Sequence, residues 1–93
     1  MNKSFPTGRI VMTIGIKTAC KKNSHFGEFI LNSLTRHVNC DWGDVCDEDW
    51  ADNDDALTEG YRLFSAYTIE KQKVWIITEA DRSVTTILFP DEY

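Results

Sequence analysis

Few residues in this chain combine the types and spacing that chemistry needs, and the best of them lie together near the C-terminus. Glu79, Asp81 and Arg82 stand within the run Thr78-Glu79-Ala80-Asp81-Arg82-Ser83, with Thr85 and Thr86 just beyond it. A planar guanidinium among hydroxyls suits the grip of a phosphate or carboxylate through paired N–H donors. Glu79, Asp81, Arg82, Thr85 and Thr86 are therefore the ligand-binding candidates, with a nucleotide-like molecule as the implied ligand. The same residues also fit a solvated turn in which Arg82 pairs with a neighbouring acid. Side chains alternate along a strand, so Thr85 and Thr86 place one hydroxyl on each face.

A second constellation is acidic. The chain carries 15 Asp and Glu against 10 Lys and Arg, a net charge of −5. Nine of the acids fall between Asp41 and Glu59, an interval with no Lys or Arg. That distribution argues against direct nucleic-acid binding there and suits attraction of a basic protein partner. It also fits a helix that does no more than keep the protein soluble. Within Asp41-Trp42-Gly43-Asp44 the tryptophan reads either as a binding anchor or as a plug in the core. Asp41, Trp42, Asp44, Asp52, Asp54 and Asp55 are the protein-interface candidates.

Other chemistries find less support. His37, Cys40 and Cys46 lie close in sequence, with Cys20 and His25 as further donors, but the spacing matches no zinc pattern. Asp47, Asp49 and Asp52 open like a calcium loop, yet the sixth position is Asp52 and the twelfth is Thr58, where glycine and glutamate are needed. Ser65 and Ser83 have no recognisable histidine partner motif, and no phosphate loop or dinucleotide fingerprint is present. The expectation is no metal, no cofactor and no catalytic residue, and the balance leans away from an enzyme. The three cysteines, an odd number, argue against a disulfide framework. No run approaches the roughly 18 apolar residues of a membrane span, and the start lacks a signal peptide's apolar segment, so no membrane association and a cytoplasmic location are expected.

The elements that must position these residues read as follows. Residues 1–7 look like a loose tail ahead of a single domain over 8–93. Arg9 to Ile14 is β-prone, and residues Ile16 to Lys22 suit a turn or two of helix. Asn23-Ser24 caps a helix whose apolar residues Phe26, Phe29, Ile30, Leu34 and Val38 share one face, with Arg36 and His37 at its negative end. Asp47 to Glu59 forms a further helix, with Asp47 as its cap, Gly60 as its stop, and Trp50 and Leu57 as its anchors. Leu63 to Ile69 is a strand, Glu70 to Lys73 a turn, and Val74 to Pro90 a hairpin of two apolar arms about a polar tip.

The predicted fold is α+β: a small antiparallel sheet of about four strands in the order β-α-α-α-β-β-β, with helices on one face. Both sides of the hairpin arms are apolar, Val74 and Ile76 against Trp75 and Ile77. A homodimer in which a second copy covers the free face follows as an expectation.

The residues Asp41-Trp42-Gly43-Asp44, Leu63-Phe64-Ser65-Ala66-Tyr67 and Trp75 to Pro90 resemble a group of small bacterial proteins found on plasmids and other mobile elements. Some of these are labelled "plasmid-related protein" and others "type I restriction endonuclease subunit M". The similarity runs from about Arg9 to Tyr93, with Cys40 and Cys46 as departures. It implies a home on mobile DNA. A methyltransferase subunit needs a glycine-bearing cofactor loop on a doubly wound sheet, and this chain has neither, so the second label fits gene neighbourhood better than activity. The combined expectation is a non-enzymatic acidic binding module, an accessory or counter-defence protein of a mobile element. The alternatives are a small-ligand binder built on residues 78–86 and, third, a small enzyme.

Overall fold

The computed structural model describes residues 5–93. Its elements are β1 (Arg9–Met12), α1 (Ile14–Lys22), α2 (Ser24–Val38), α3 (Asp47–Glu59), β2 (Leu63–Ile69), β3 (Gln72–Thr78) and β4 (Val84–Leu88), followed by a 3-10 turn at Pro90–Glu92. The strands form one sheet in the order β1-β4-β3-β2. The α+β class and the four strands hold. One feature of the expected sheet is corrected: β2, β3 and β4 form the antiparallel meander, but β1 joins β4 in parallel, so the sheet is mixed. A strand of four residues carries too few side chains to reveal its direction, and only its partner decides it.

Local chemistry explains the boundaries. The Asn23 side chain accepts from the backbone N–H groups of His25 (3.0 Å) and Phe26 (3.4 Å), ending α1 and starting α2 in one residue. Residues Phe26, Ile30, Ser33 and His37, four and three apart, form the buried face of α2. The N-cap of α3 is Cys46, not Asp47; Asp47, Glu48 and Asp49 fill the first turn instead, where their charge complements the helix dipole. Gly60 ends α3 at φ 77°, as its position suggested. The turn between β2 and β3 shrinks to Glu70 and Lys71, both at positive φ (47° and 69°), the mirror-image geometry that matches strand twist. Gln72 and Lys73 therefore belong to β3, opposite Ile69 and Thr68.

Ile16 of α1 and Phe26 and Ile30 of α2 pack on Tyr67, Val74, Ile76 and Ile87 of the sheet, forming the main core. A second cluster of Trp42, Ala56 and Leu63 seats α3 at the β2 margin, with Trp50 and Leu57 packed against it. Phe5 stacks near Trp42, and Thr85 donates to the Thr7 carbonyl at 2.8 Å. The predicted loose tail is thus docked from residue 5; residues 1–4 lie outside the described ones.

The opposite sheet face is partly roofed by its own chain. Phe64, Trp75 and Tyr93 form an edge-to-face series at 5.1 and 5.9 Å, and Ile77 and Leu88 beneath are each only 4% exposed. The apolar side chains that suggested a second copy are largely covered within one chain.

The chain ends are joined through one carboxylate. Glu92 accepts from the Thr13 hydroxyl, the Gly15 N–H (3.0 Å) and the Phe89 N–H (2.9 Å), capping α1 from the far end of the sequence. A Cβ on Gly15 would meet that carboxylate at 2.6 Å, so a larger residue there would have to displace Glu92 from its cap. The Thr13 hydrogen bond, then that of Phe89, holds the Glu92 carboxyl below its ordinary range. A lowered folded-state value means the stabilisation is present above the unfolded pKa and is lost as pH falls through the folded one. Glu92→Gln should lower the urea midpoint at pH 7, and the gap to the parent should close in acid as the parent's own carboxyl protonates.

Candidate functional site

The hairpin tip is folded around its arginine. Arg82 sits at φ 60°, a conformation few non-glycine residues adopt. Its Nη1 donates to the carbonyls of Tyr61 (2.7 Å), Glu79 (3.1 Å) and Ala80 (3.3 Å), and its Nη2 to that of Ala56 (3.1 Å). The last turn of α3 is thereby tied to the β3–β4 connection, with the cation at the helix's negative end. The fork predicted to hold an anion is occupied by main-chain oxygens. Asp81 Oδ1 accepts from the Ser83 N–H (3.0 Å) and hydroxyl (2.6 Å), and these bonds keep its carboxyl below the usual range. Glu79 pairs with Arg62 at 3.4 Å. Thr85 is fully buried, while Thr86 lies on the other face and is half-exposed. The five ligand candidates therefore share a neighbourhood without converging on a common opening.

The acidic candidates divide into two groups. Trp42 is fully buried and its indole N–H donates to Asp54 at 3.1 Å, so it plugs the core and offers no surface anchor. Asp41 grips Arg36 through two bonds (2.8 and 3.2 Å) and accepts from the Gly43 N–H, which together hold its carboxyl below the ordinary range. Asp44 accepts from the Thr68 hydroxyl at 2.8 Å. Asp41, Asp44 and Asp54 are thus structural. Asp52 and Asp55 are exposed, as are Asp47, Glu48, Asp49 and Glu59, and none has an ion-pair or hydrogen-bond partner among the described residues.

The inward side of α3 explains how so poor a helix former is held. Asn53, 4% exposed, turns its amide onto β2: its nitrogen donates to the Phe64 carbonyl (2.6 Å) and its oxygen accepts the Phe64 N–H (3.0 Å). Ala56 and Leu57 complete the contact. Apart from Asp54, which meets the Trp42 indole, its acids face outward because its inward positions are these.

One arrangement escaped the sequence. His37 is fully buried, with Nδ1 against the Ser65 hydroxyl and Nε2 2.9 Å from the Thr78 hydroxyl. Thr78 and Thr85 share a hydrogen bond at 2.7 Å, and Thr85 donates to the Thr7 carbonyl. Proton counting then orients the series: Thr85 has given its proton away, so Thr78 donates to Thr85, His37 Nε2–H donates to Thr78, and Ser65 donates to Nδ1. No signal short of the strand register could have joined residues 28 and 41 positions apart. A serine hydroxyl on an imidazole is the start of a nucleophilic pair. Here both residues have no exposed surface, Phe5 and Trp42 press edge-on to the ring at 5.3 and 5.6 Å, and both ring nitrogens are engaged. The arrangement is a satisfied core histidine. Burial lowers its pKa to about 4, so the ring is neutral at pH 7 and does not assist the α2 dipole as the sequence suggested.

A cleft of ≈ 340 Å³ opens elsewhere, where α1 meets α2, floored by Phe26 and Phe89 and rimmed by Lys22, His25 and Glu70. None of the predicted site residues lines it. Among the described residues no three of His, Cys, Asp and Glu converge as a metal site would require. Cys20 is half-buried, and burial raises its thiol pKa.

Comparison of the chain with protein-family models, with curated proteins and with solved structures returns no match.

Two outcomes follow from these networks. Arg82→Ala leaves the Ala56 and Tyr61 carbonyls short of a donor and should cost about 2 kcal/mol in chemical denaturation, with Arg82→Lys recovering only part. For His37, the unfolded ring protonates near pH 6.5 and the folded one only at about 4. Protons bind the unfolded state first, so the His37 contribution to stability should fall by about 3 kcal/mol from pH 6.5 to 4 and level off below. Parallel urea titrations of the parent and His37→Gln, which lacks this slope, measure it, and the parent's ring resonances should report protonation only near pH 4.

Proposed function

We propose that this chain is a non-enzymatic binding module that presents the outer face of α3 to a basic protein partner. The observation that carries this reading is the division within α3. Its inward side is fixed by the Asn53 amide, Ala56 and the Trp42–Asp54 bond, while Asp47, Glu48, Asp49, Asp52, Asp55 and Glu59 stand exposed with no cation to answer them among the described residues. A rigid row of unneutralised carboxylates steers a cationic surface and sets its orientation, with salt-dependent association. Repulsion within such a row is a cost that a partner's cations relieve. The setting, an accessory or counter-defence protein of a bacterial mobile element, rests on the resemblance alone.

The small-ligand reading of residues 78–86 stands second. Both terminal nitrogens of Arg82 are engaged by main-chain carbonyls and Thr85 is buried, which leaves only part of the expected anion grip free. An enzyme comes third, because the Ser65–His37 pair lies out of reach of a substrate.

The test is a pull-down from a bacterial host followed by affinity measurement on the captured protein. A basic partner should be retained at low salt and released as ionic strength rises over about 0.05–0.5 M. The double charge reversal Asp52→Lys/Asp55→Lys should abolish capture without lowering the melting temperature, since neither carboxylate holds the fold together. Asp54 is left intact because it holds the Trp42 indole. Binding indifferent to both salt and charge reversal would overturn the reading.

A further inference from the structure

The two edges of the sheet differ in a way the acidic surface does not explain. At β2, the outward backbone groups of Phe64 and Ala66 are covered. The Asn53 amide meets both groups of Phe64, and the Trp42 carbonyl and Asp44 N–H meet those of Ala66 at 3.2 and 2.7 Å. Gly43 makes that approach possible at φ 75°, where a Cβ would collide with the Ala66 carbonyl and the Tyr67 ring. At β1, nothing comparable is present among the described residues. Arg9 N–H bonds the Ser83 carbonyl (3.0 Å) and Thr13 N–H the Ile87 carbonyl (3.1 Å), so residues 9, 11 and 13 face β4. Ile10 and Met12 therefore direct their N–H and C=O groups outward, and no described residue bonds to them. Native edges are blunted by shortness, edge charges, proline, bulges or covering loops; β1 has its four-residue length and Arg9, but no proline, bulge or cover among the described residues.

The surroundings of this edge specify what fits it. Ile10 is 45% exposed and Ile14, just beyond the strand, 78% exposed. Arg9, Lys17, Lys21 and Lys22 are all exposed, and residues 5–27 contain no Asp or Glu. Ile14, Lys17 and Lys21 form the outer stripe of α1, the helix that packs beside β1, while Ile16 faces the core. Of the carboxylates beside β1, Glu92 is engaged by Thr13 and Gly15 and Asp81 by Ser83. The chain is thus basic at the β1 edge and acidic at the β2 edge. A second copy offering its own β1 would set like charges face to face. An extended acidic strand would not.

We propose that the open edge of β1 takes up an extended segment of a partner protein, alternating acidic and apolar residues, as a fifth strand of the sheet. The backbone groups of Ile10 and Met12 pair with the added strand, Ile10 and Ile14 receive its apolar side chains on the helix-bearing face, Arg9 on the other face meets its carboxylates, and Lys17 and Lys21 add to the positive field that draws it in. This site is independent of the α3 surface, and either can fail without the other.

The test is an amide NMR titration of the full chain with a synthetic peptide of alternating glutamate and valine. The same pattern in lysine and valine is the control. The glutamate peptide should shift and protect the Ile10 and Met12 amides, and the lysine peptide should bind at least tenfold more weakly. Ile10→Pro deletes an outward N–H that the native ladder does not use, so its melting temperature should be close to the parent's while peptide affinity falls about tenfold. Lys17→Glu/Lys21→Glu should also weaken binding without touching the edge. The proposal is overturned if the two peptides bind alike, if shifts map away from β1, or if Ile10→Pro folds and binds as the parent does. It is equally overturned if Ile10 and Met12 are already protected in the free protein with a dimeric mass, since a second copy then fills the edge.

Discussion

The imidazole of His37 is the point on which the three-dimensional arrangement turns. It is neutral, without solvent contact, and held by hydroxyls from two different strands, Ser65 of β2 and Thr78 of β3. Through Thr85 the series continues into β4 and ends on the Thr7 carbonyl, ahead of β1. A buried polar group left without a partner costs about 1–3 kcal/mol, and each member here depends on the next. The network therefore penalises a slip of register between β2, β3 and β4. It also fixes the depth at which α2 sits on the sheet.

Around this centre, polar side chains stand in for missing secondary structure. Asn53 supplies β2 with the bonds a fifth strand would have made, Arg82 accepts the role of cap for α3, and Glu92 does the same for α1 across the whole length of the chain. These contacts let a 93-residue chain with poor helix formers in α3 hold three helices on four short strands. They also decide which charges remain for a partner. Arg82, Asp41, Asp54 and Glu92 are absorbed into the fold, whereas Asp52, Asp55 and the lysines of α1 are not.

The result is a molecule polarised across its sheet. The β2 edge is capped at Phe64 and Ala66 and acidic in charge, and the β1 edge is basic and, among the described residues, open. Both properties follow from where the helices fall in sequence: α3 enters β2 directly and shields it, whereas β1 is followed by a helix that must climb onto the sheet face at Thr13.

Local chemistry was sufficient for the elements themselves. Asn23 as a cap, Gly60 as a stop, the period of Phe26 and Ile30, and the apolar arms from Val74 and from Val84 are short-range signals, and short-range energetics honour them. The concentration of acids along α3 was equally plain, since charge needs no fold to be counted. Tertiary structure alone decided the rest. The direction of β1 depends on the bonding needs of β4's free edge, not on four β-prone residues. Arg82 resembled an anion site because its type and neighbours permit one, and became a cap because α3's last carbonyls lie within reach only once the hairpin is closed. Ser65, His37, Thr78 and Thr85 are unremarkable apart and form one network together, because hydrogen bonds depend on positions in space that no spacing along the chain encodes.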